Sequence, residues 1–112
     1  MTAGVYETLE NSFGFDWDDG NAPKVAERHN VQPGECEQVF FNEPFVVSQD
    51  EKHSTNESRW RALGRTGGDR WLFLVFNFRG NLIRVLQARE MNRKERTVYA
   101  EIQAHVAKDS NV

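Results

Sequence analysis

Ten of the fourteen Lys/Arg residues of the chain fall between positions 59 and 96, and nine of these are arginine. They are Arg59, Arg61, Arg65, Arg70, Arg79, Arg84, Arg89, Arg93 and Arg96, with Lys94. Only Asp69, Glu90 and Glu95 oppose them, so this stretch carries +7, while four basic and fourteen acidic residues leave the remainder at −10. A guanidinium is planar, permanently charged and forked to match two oxygens of a phosphate or carboxylate. One reading is a set of solvated strand faces. The other is a polyanion-binding face, with the acidic remainder discouraging loose binding to nucleic acid. For proton transfer the candidate is His53, in a polar loop four residues before Glu57, which could orient its ring; unperturbed imidazole titrates near ~6.5. Asp50, His53 and Glu57 match no strong metal-ligand spacing, so neither a metal nor a cofactor is expected. There is no Gly-rich phosphate loop, Ser-His-Asp arrangement or dinucleotide fingerprint. Cys36 is the sole cysteine, which excludes an internal disulfide and a cysteine zinc site. Cys36, His29 on a helix face beside Val25, and Tyr99 in a helix seam all read as structural residues.

The elements that must position these groups are legible in outline. Phe13 to Asp18 alternates apolar and polar, as a short strand does. Asp18, Asp19 and Asn21 offer N-cap chemistry, and Pro23 suits a first helical turn. Ala22, Val25, Ala26 and His29 share one helix face, and Asn30 can end that helix in a left-handed conformation. Pro33 opens a second short helix with Cys36, Val39 and Phe40 on one side. Pro44 to Ser48 reads as an edge strand and Gln49 to Ser58 as a polar loop. In the strand from Arg59 to Arg65, Trp60, Ala62 and Gly64 point one way and Arg59, Arg61, Leu63 and Arg65 the other. Thr66-Gly67-Gly68-Asp69 and Arg79-Gly80-Asn81 are turns flanking a strand from Trp71 to Phe78 that is apolar on both faces. A last strand spans Leu82 to Arg89. Asn92 and Glu95 then form a capping-box-like start to a terminal helix.

The order is therefore β-α-α-β-β-β-β-α: an α+β fold with a largely antiparallel sheet and helices packed on one face. A length of 112 residues predicts a single domain, with residues 1–12 an irregular lead-in and 13–108 the body. A mean hydropathy of −0.70 and the lack of an apolar run of about 20 residues argue against a membrane span. The N-terminus has no signal-peptide pattern, so a cytoplasmic location is expected.

Several motifs, taken together and in order, resemble the BrnT family of toxins of type II toxin–antitoxin systems. Phe15-Asp16-Trp17-Asp18 is similar to the family's opening F-x-W-D element, and Arg28-His29-Asn30-Val31 to its K-H-G-V-like turn. Asp50, His53, Ser54 and Glu57 precede Arg59-Trp60 as in the family's acidic loop and E-x-R-W strand start, and Gly64 matches the strand's glycine. Ile83 to Arg89 resembles an I-R-x-I-S-A-R strand, followed by Glu95-Arg96 and Tyr99 of an E-R-x-x-Y helix. The resemblance covers about residues 15–99. In three places the chain departs from the pattern: Asn30 stands for a glycine, Gln87 for a serine and Glu90 for a second basic residue.

The resemblance implies a RelE-like fold and a ribonuclease that inhibits translation. It also implies neutralisation by a small antitoxin with a ribbon-helix-helix DNA-binding domain. A 2:2 complex is expected, with DNA contacted only through the antitoxin. RNA cleavage without metal needs a proton taken from the 2′-hydroxyl, one given to the leaving oxygen, and stabilisation of phosphorane charge. His53 is assigned the proton transfer with Glu57 beside it. Arg59, Arg84 and Arg89, carried over from the family motifs, are assigned the charge stabilisation. Arg79, placed by the basic hairpin, joins Arg61, Arg65, Arg93, Lys94 and Arg96 in binding substrate. Glu90 is expected either to attenuate activity, by repelling phosphate or occupying the Arg89 fork, or to favour the positive end of the following helix. The alternative function is a non-catalytic module whose basic face grips RNA or an acidic protein partner.

Overall fold

The computed structural model describes residues 2–53 and 58–110. Its five strands are β1 (Gly14–Phe15), β2 (Val46–Gln49), β3 (Trp60–Arg65), β4 (Trp71–Arg79) and β5 (Leu82–Glu90), in the sheet order β1-β5-β4-β3-β2. β1 joins β5 in parallel, with Phe15 opposite Ile83, and the other pairings are antiparallel. The helices are α1 (Thr2–Glu10), α2 (Ala22–His29), α3 (Pro33–Val39) and α4 (Arg93–Ser110). From β1 onward this is the expected α+β order.

Alternation divides the sheet into two unlike faces. Ala62, Leu72, Leu74, Phe76, Val85 and Ala88 form one face and are buried against Val25 of α2, Val31, and Cys36 and Val39 of α3. Cys36 is fully buried, and desolvation pushes its thiol up to about 12. At Gly64 a Cβ would lie 2.5 Å from Val39 Cγ1, so the glycine lets α3 approach β3. Asn30 closes α2 with φ 54, as expected of a left-handed Asn. Asn21 does not cap α2 with its side chain. Instead its amide donates to the carbonyls of Asp16 and Val85 and ties the β1–α2 loop to β5.

Two expectations are corrected. The segment read as an irregular lead-in is helical, because docking of Val5 and Leu9 into the core supplies what its weak periodicity does not. The hydroxyl of Tyr6 accepts the Val47 N–H, covering part of the β2 edge. Nor do all helices lie on one face. The Tyr99 ring of α4 meets Trp71, which is opposite Arg65 on the arginine-bearing side of the sheet. Capping of α4 follows the expected box: Asn92 N–H donates to Glu95 Oε1, and Glu95 N–H to Asn92 Oδ1.

Candidate functional site

On β3 the alternation puts Arg61, Leu63 and Arg65 on the side away from α2 and α3, and Arg59 lies just before the strand on the same side. Their partners are Val75, Phe73 and Trp71 on β4, with Gln87 opposite Val75 and Arg89 opposite Phe73 on β5. An open groove of about 820 Å³ runs over this surface, lined by Gln49 to Lys52, Arg59, Arg61, Phe73, Val75, Gln87 and Arg89. It thus joins three of the candidate arginines, and the structure adds Lys52, Phe73 and Gln87 to them. No pattern of basic residues could have selected Phe73 or Gln87. Their common register across β4 and β5 is the signal.

Arg84 reaches the same face by a different route. Arg84 and Arg89 are five residues apart, and uninterrupted alternation would send them to opposite faces. The β4–β5 register shifts between Val75 and Phe76, which pair with Gln87 and Val85, leaving Leu86 as an extra residue on β5. This bulge restores Arg84 to the arginine face opposite Asn77. Arg84 is not open to a ligand there. Its side chain is 9% exposed and donates to Asp16 Oδ2 at 3.3 Å and to both Asp18 oxygens at 3.1 and 3.0 Å. The Arg84 hydrogen bonds hold the Asp18 carboxyl below the usual carboxylate range, helped by the Gly20 N–H. Arg79, on the neighbouring strand, joins the same two aspartates at 3.4 and 3.8 Å. Two arginines face two aspartates, and the cluster is locally neutral. Beside it, Asn77 Oδ1 is a buried oxygen with no hydrogen-bond partner among the described residues.

Arg89 is also engaged. Its two terminal nitrogens donate to Glu95 Oε1 at 2.7 Å and Oε2 at 3.0 Å, and its guanidinium carbon stands 4.1 Å from the centre of the Phe73 ring. Burial raises the Glu95 carboxyl, but the Arg89 fork, the Asn92 N–H and the charges of Arg89 and Arg61 outweigh it and leave the group below its ordinary range. Arg61 donates to the Gln49 carbonyl at 3.4 Å, a long and exposed contact.

The other assigned cations lie outside the groove. Arg65 donates to the Glu43 carbonyl, Arg96 stacks over Trp71, and Arg93 and Lys94 are exposed in the first turn of α4. Glu57 and the side chain of His53 lie outside the described residues, although the His53 backbone closes a 3-10 turn, Glu51–His53, at the groove's rim. Tyr99 is buried, and desolvation pushes its phenol up to about 12; its hydroxyl donates to the Pro44 carbonyl at 2.6 Å, a structural role. His29, read as a structural residue beside Val25, is exposed at the end of α2.

Glu90 lies away from the groove. It pairs with Leu72 in register and so points to the helix-covered side, where Oε2 receives Arg70 Nε at 3.3 Å. Arg70 also donates to Glu35 and to the Asn30 carbonyl. The Glu90 side chain neither occupies the Arg89 fork nor faces the groove, and the start of α4 is capped by Asn92 and Glu95.

The motifs that suggested a family therefore divide their work. The Trp17 indole anchors to Glu37 of α3 at 2.8 Å, Asp16 and Asp18 neutralise Arg84, and Glu95 clamps Arg89. The family model of the ribonuclease toxin BrnT, of type II toxin–antitoxin systems, matches residues 17–95. The chain belongs to the BrnT family. The match takes in the groove, the Arg89–Glu95 clamp and all of the β1-edge cluster except Asp16, and it makes the chain a member of a family of ribonuclease toxins. No individually curated protein matches the chain. Among the described residues, no helix is long and apolar enough to cross a membrane.

Proposed function

We propose that the chain is an endoribonuclease that binds RNA in the groove between the Gln49–Lys52 segment and β5, cleaves it without a metal ion, and thereby arrests translation in the cytoplasm. The observation that carries this reading is the gathering of Arg59, Arg61 and Lys52 around a groove on the sheet face that α2 and α3 leave uncovered. In the reaction, the 2′-oxygen attacks phosphorus and the bond from phosphorus to the 5′-oxygen breaks. One proton leaves the 2′-hydroxyl and one reaches the departing oxygen. Fixed cations stabilise the charge that builds on the phosphorane. His53 moves the protons, with Glu57 orienting its ring.

The toxin's partner is a cognate ribbon-helix-helix antitoxin, which neutralises it by laying an acidic segment along this cationic groove. Because a ribbon-helix-helix unit is itself a dimer, the complex is 2:2 about its two-fold axis and contacts DNA through the antitoxin. A second reading, a binding module that holds RNA without cutting it, draws support from one fact. Arg84 and Arg89, two arginines assigned to charge stabilisation, already hold carboxylates.

Incubating the purified protein with total RNA in EDTA, with and without His53→Ala, separates the readings. Metal-independent cleavage that His53→Ala slows by roughly 10²–10⁴-fold supports the enzyme. Tight binding with intact RNA supports the module. Cleavage by the variant at the parental rate removes His53 from the mechanism.

A further inference from the structure

Arg61 and Lys52 are exposed along the groove and can serve a phosphate, but Arg89 cannot do so as it stands. Both arms of its fork are taken by Glu95, and Nη1 also donates to the Glu90 carbonyl at 3.1 Å. The pair is neutral as a unit and adds little to phosphate attraction. What Arg89 still offers is a flat surface. One face of the guanidinium lies on the Phe73 ring at 4.1 Å, and the side chain remains 26% exposed where it lines the groove.

We propose that Phe73 and Arg89 form a stacking platform for an unpaired nucleobase, with Glu95 as the positioning residue that holds the guanidinium flat. This rests on the reading of the groove as an RNA site and adds to it a substrate class: single-stranded RNA with at least one base out of its stack. Single-stranded RNA is commonly held by stacking bases on aromatic rings or on arginine planes, which tolerates any sequence because every base has a π-face. The division of labour follows from charge. Arg59, Arg61 and Lys52 hold backbone phosphates, each displaced counterion steepening the salt dependence. The Arg89–Glu95 pair contributes the plane instead. Gln87, on the same face one position along the sheet, supplies an amide that can donate to or accept from a base edge.

The test uses two fluorescein-labelled 2′-O-methyl oligonucleotides of about eight nucleotides, a length within the span of single-strand grooves. One is oligo(A). The other has the same backbone with abasic sugars. Neither can be cut, because the attacking hydroxyl is methylated. Binding is followed by anisotropy over a salt series. The parental protein is expected to bind oligo(A) roughly tenfold more tightly than the abasic strand. Phe73→Leu, which keeps apolar bulk, abolishes that preference and leaves the salt slope unchanged. Arg61→Ala keeps the preference and lowers the slope by about one. Glu95→Gln unmasks the Arg89 charge, so the slope rises by about one while the base preference falls. A merely structural role for Glu95 moves neither quantity in that direction. Equal binding of the two strands by the parental protein, or an undiminished preference in Phe73→Leu, overturns the platform while the RNA groove stands. Failure to bind either strand at low salt overturns the groove and the platform with it.

Discussion

Two arginine clusters share one face of the sheet and behave oppositely. At the β1 edge, Arg84 and Arg79 meet Asp16 and Asp18, and Arg84 is almost wholly buried. Beyond the Val75–Gln87 row, Arg59, Arg61 and Lys52 line an open groove in which Arg89 has been singled out and neutralised by Glu95. Residue type is the same in both places. The difference is made by carboxylates arriving from distant parts of the chain. An arginine that meets two of them becomes a fastener for β1 and its following loop. Arg61, whose hydrogen bond to the Gln49 carbonyl is long and exposed, keeps its charge for a partner.

The comparison breaks most visibly at Arg84. Arg84→Ala removes the buried cation between Asp16 and Asp18 and leaves them only the exposed Arg79; loss of such charged hydrogen bonds costs about 2 kcal/mol. Urea unfolding measures it. If the variant unfolds no more readily than Arg61→Ala, the two clusters are alike and the distinction fails.

The reciprocal change comes next. Arg61→Ala is expected to slow RNA cleavage about tenfold at low RNA concentration, as loss of a backbone-phosphate contact weakens substrate binding. Its stability should stay within about 0.5 kcal/mol of the parent, because the side chain is exposed and its one described bond is long.

Acid provides a third handle. Hydrogen bonding from Arg84 first, and then from the Gly20 N–H, lowers the Asp18 carboxyl below 3.8. A carboxylate lowered in the folded state stabilises the fold fully above its unfolded pKa and loses that contribution as pH falls through the folded value. Glu95 behaves in the same sense, its depression below 4.5 being the balance of burial against the Arg89 pair. Melting temperature should therefore fall from about pH 4.5 downward. The Asp18 portion should shrink in Arg84→Ala, where only the Gly20 N–H and Arg79 still lower it, and stay intact in Arg61→Ala. A melting curve in which Arg84→Ala keeps the full acid slope shows that Asp18 is not held by Arg84 in solution.

The smallest effect belongs to Glu90, which is close to the groove in sequence and on the other side of the sheet. Its side chain is 65% exposed. Glu90→Gln should cost no more than about 0.5 kcal/mol, as loss of a surface pair does, and leave RNA cleavage unchanged. A marked gain in cleavage restores an attenuating role and puts the face assignment of β5 in question.

Much of the fold was legible because its causes are local. The alternation that puts Arg59, Arg61 and Arg65 on one side of β3, the turns at Thr66–Asp69 and Arg79–Asn81, the left-handed Asn30 and the Asn92–Glu95 box each depend on residues a few positions apart. The family could be read for a related reason, since its motifs are short runs in a fixed order. The lead-in helix escaped because docking of Val5 and Leu9, rather than its own pattern, makes it a helix.

What the tertiary structure alone decided is which arginines keep their charge available. One extra residue at Leu86 turns Arg84 toward Asp16 and Asp18, its partners 68 and 66 positions away. The same sheet places Phe73 under Arg89, while α4 brings Glu95 to its fork. Charge along a sequence adds up, but charge in a fold is paired. Pairing across such separations depends on strand register and bulges, which no local run of residues specifies.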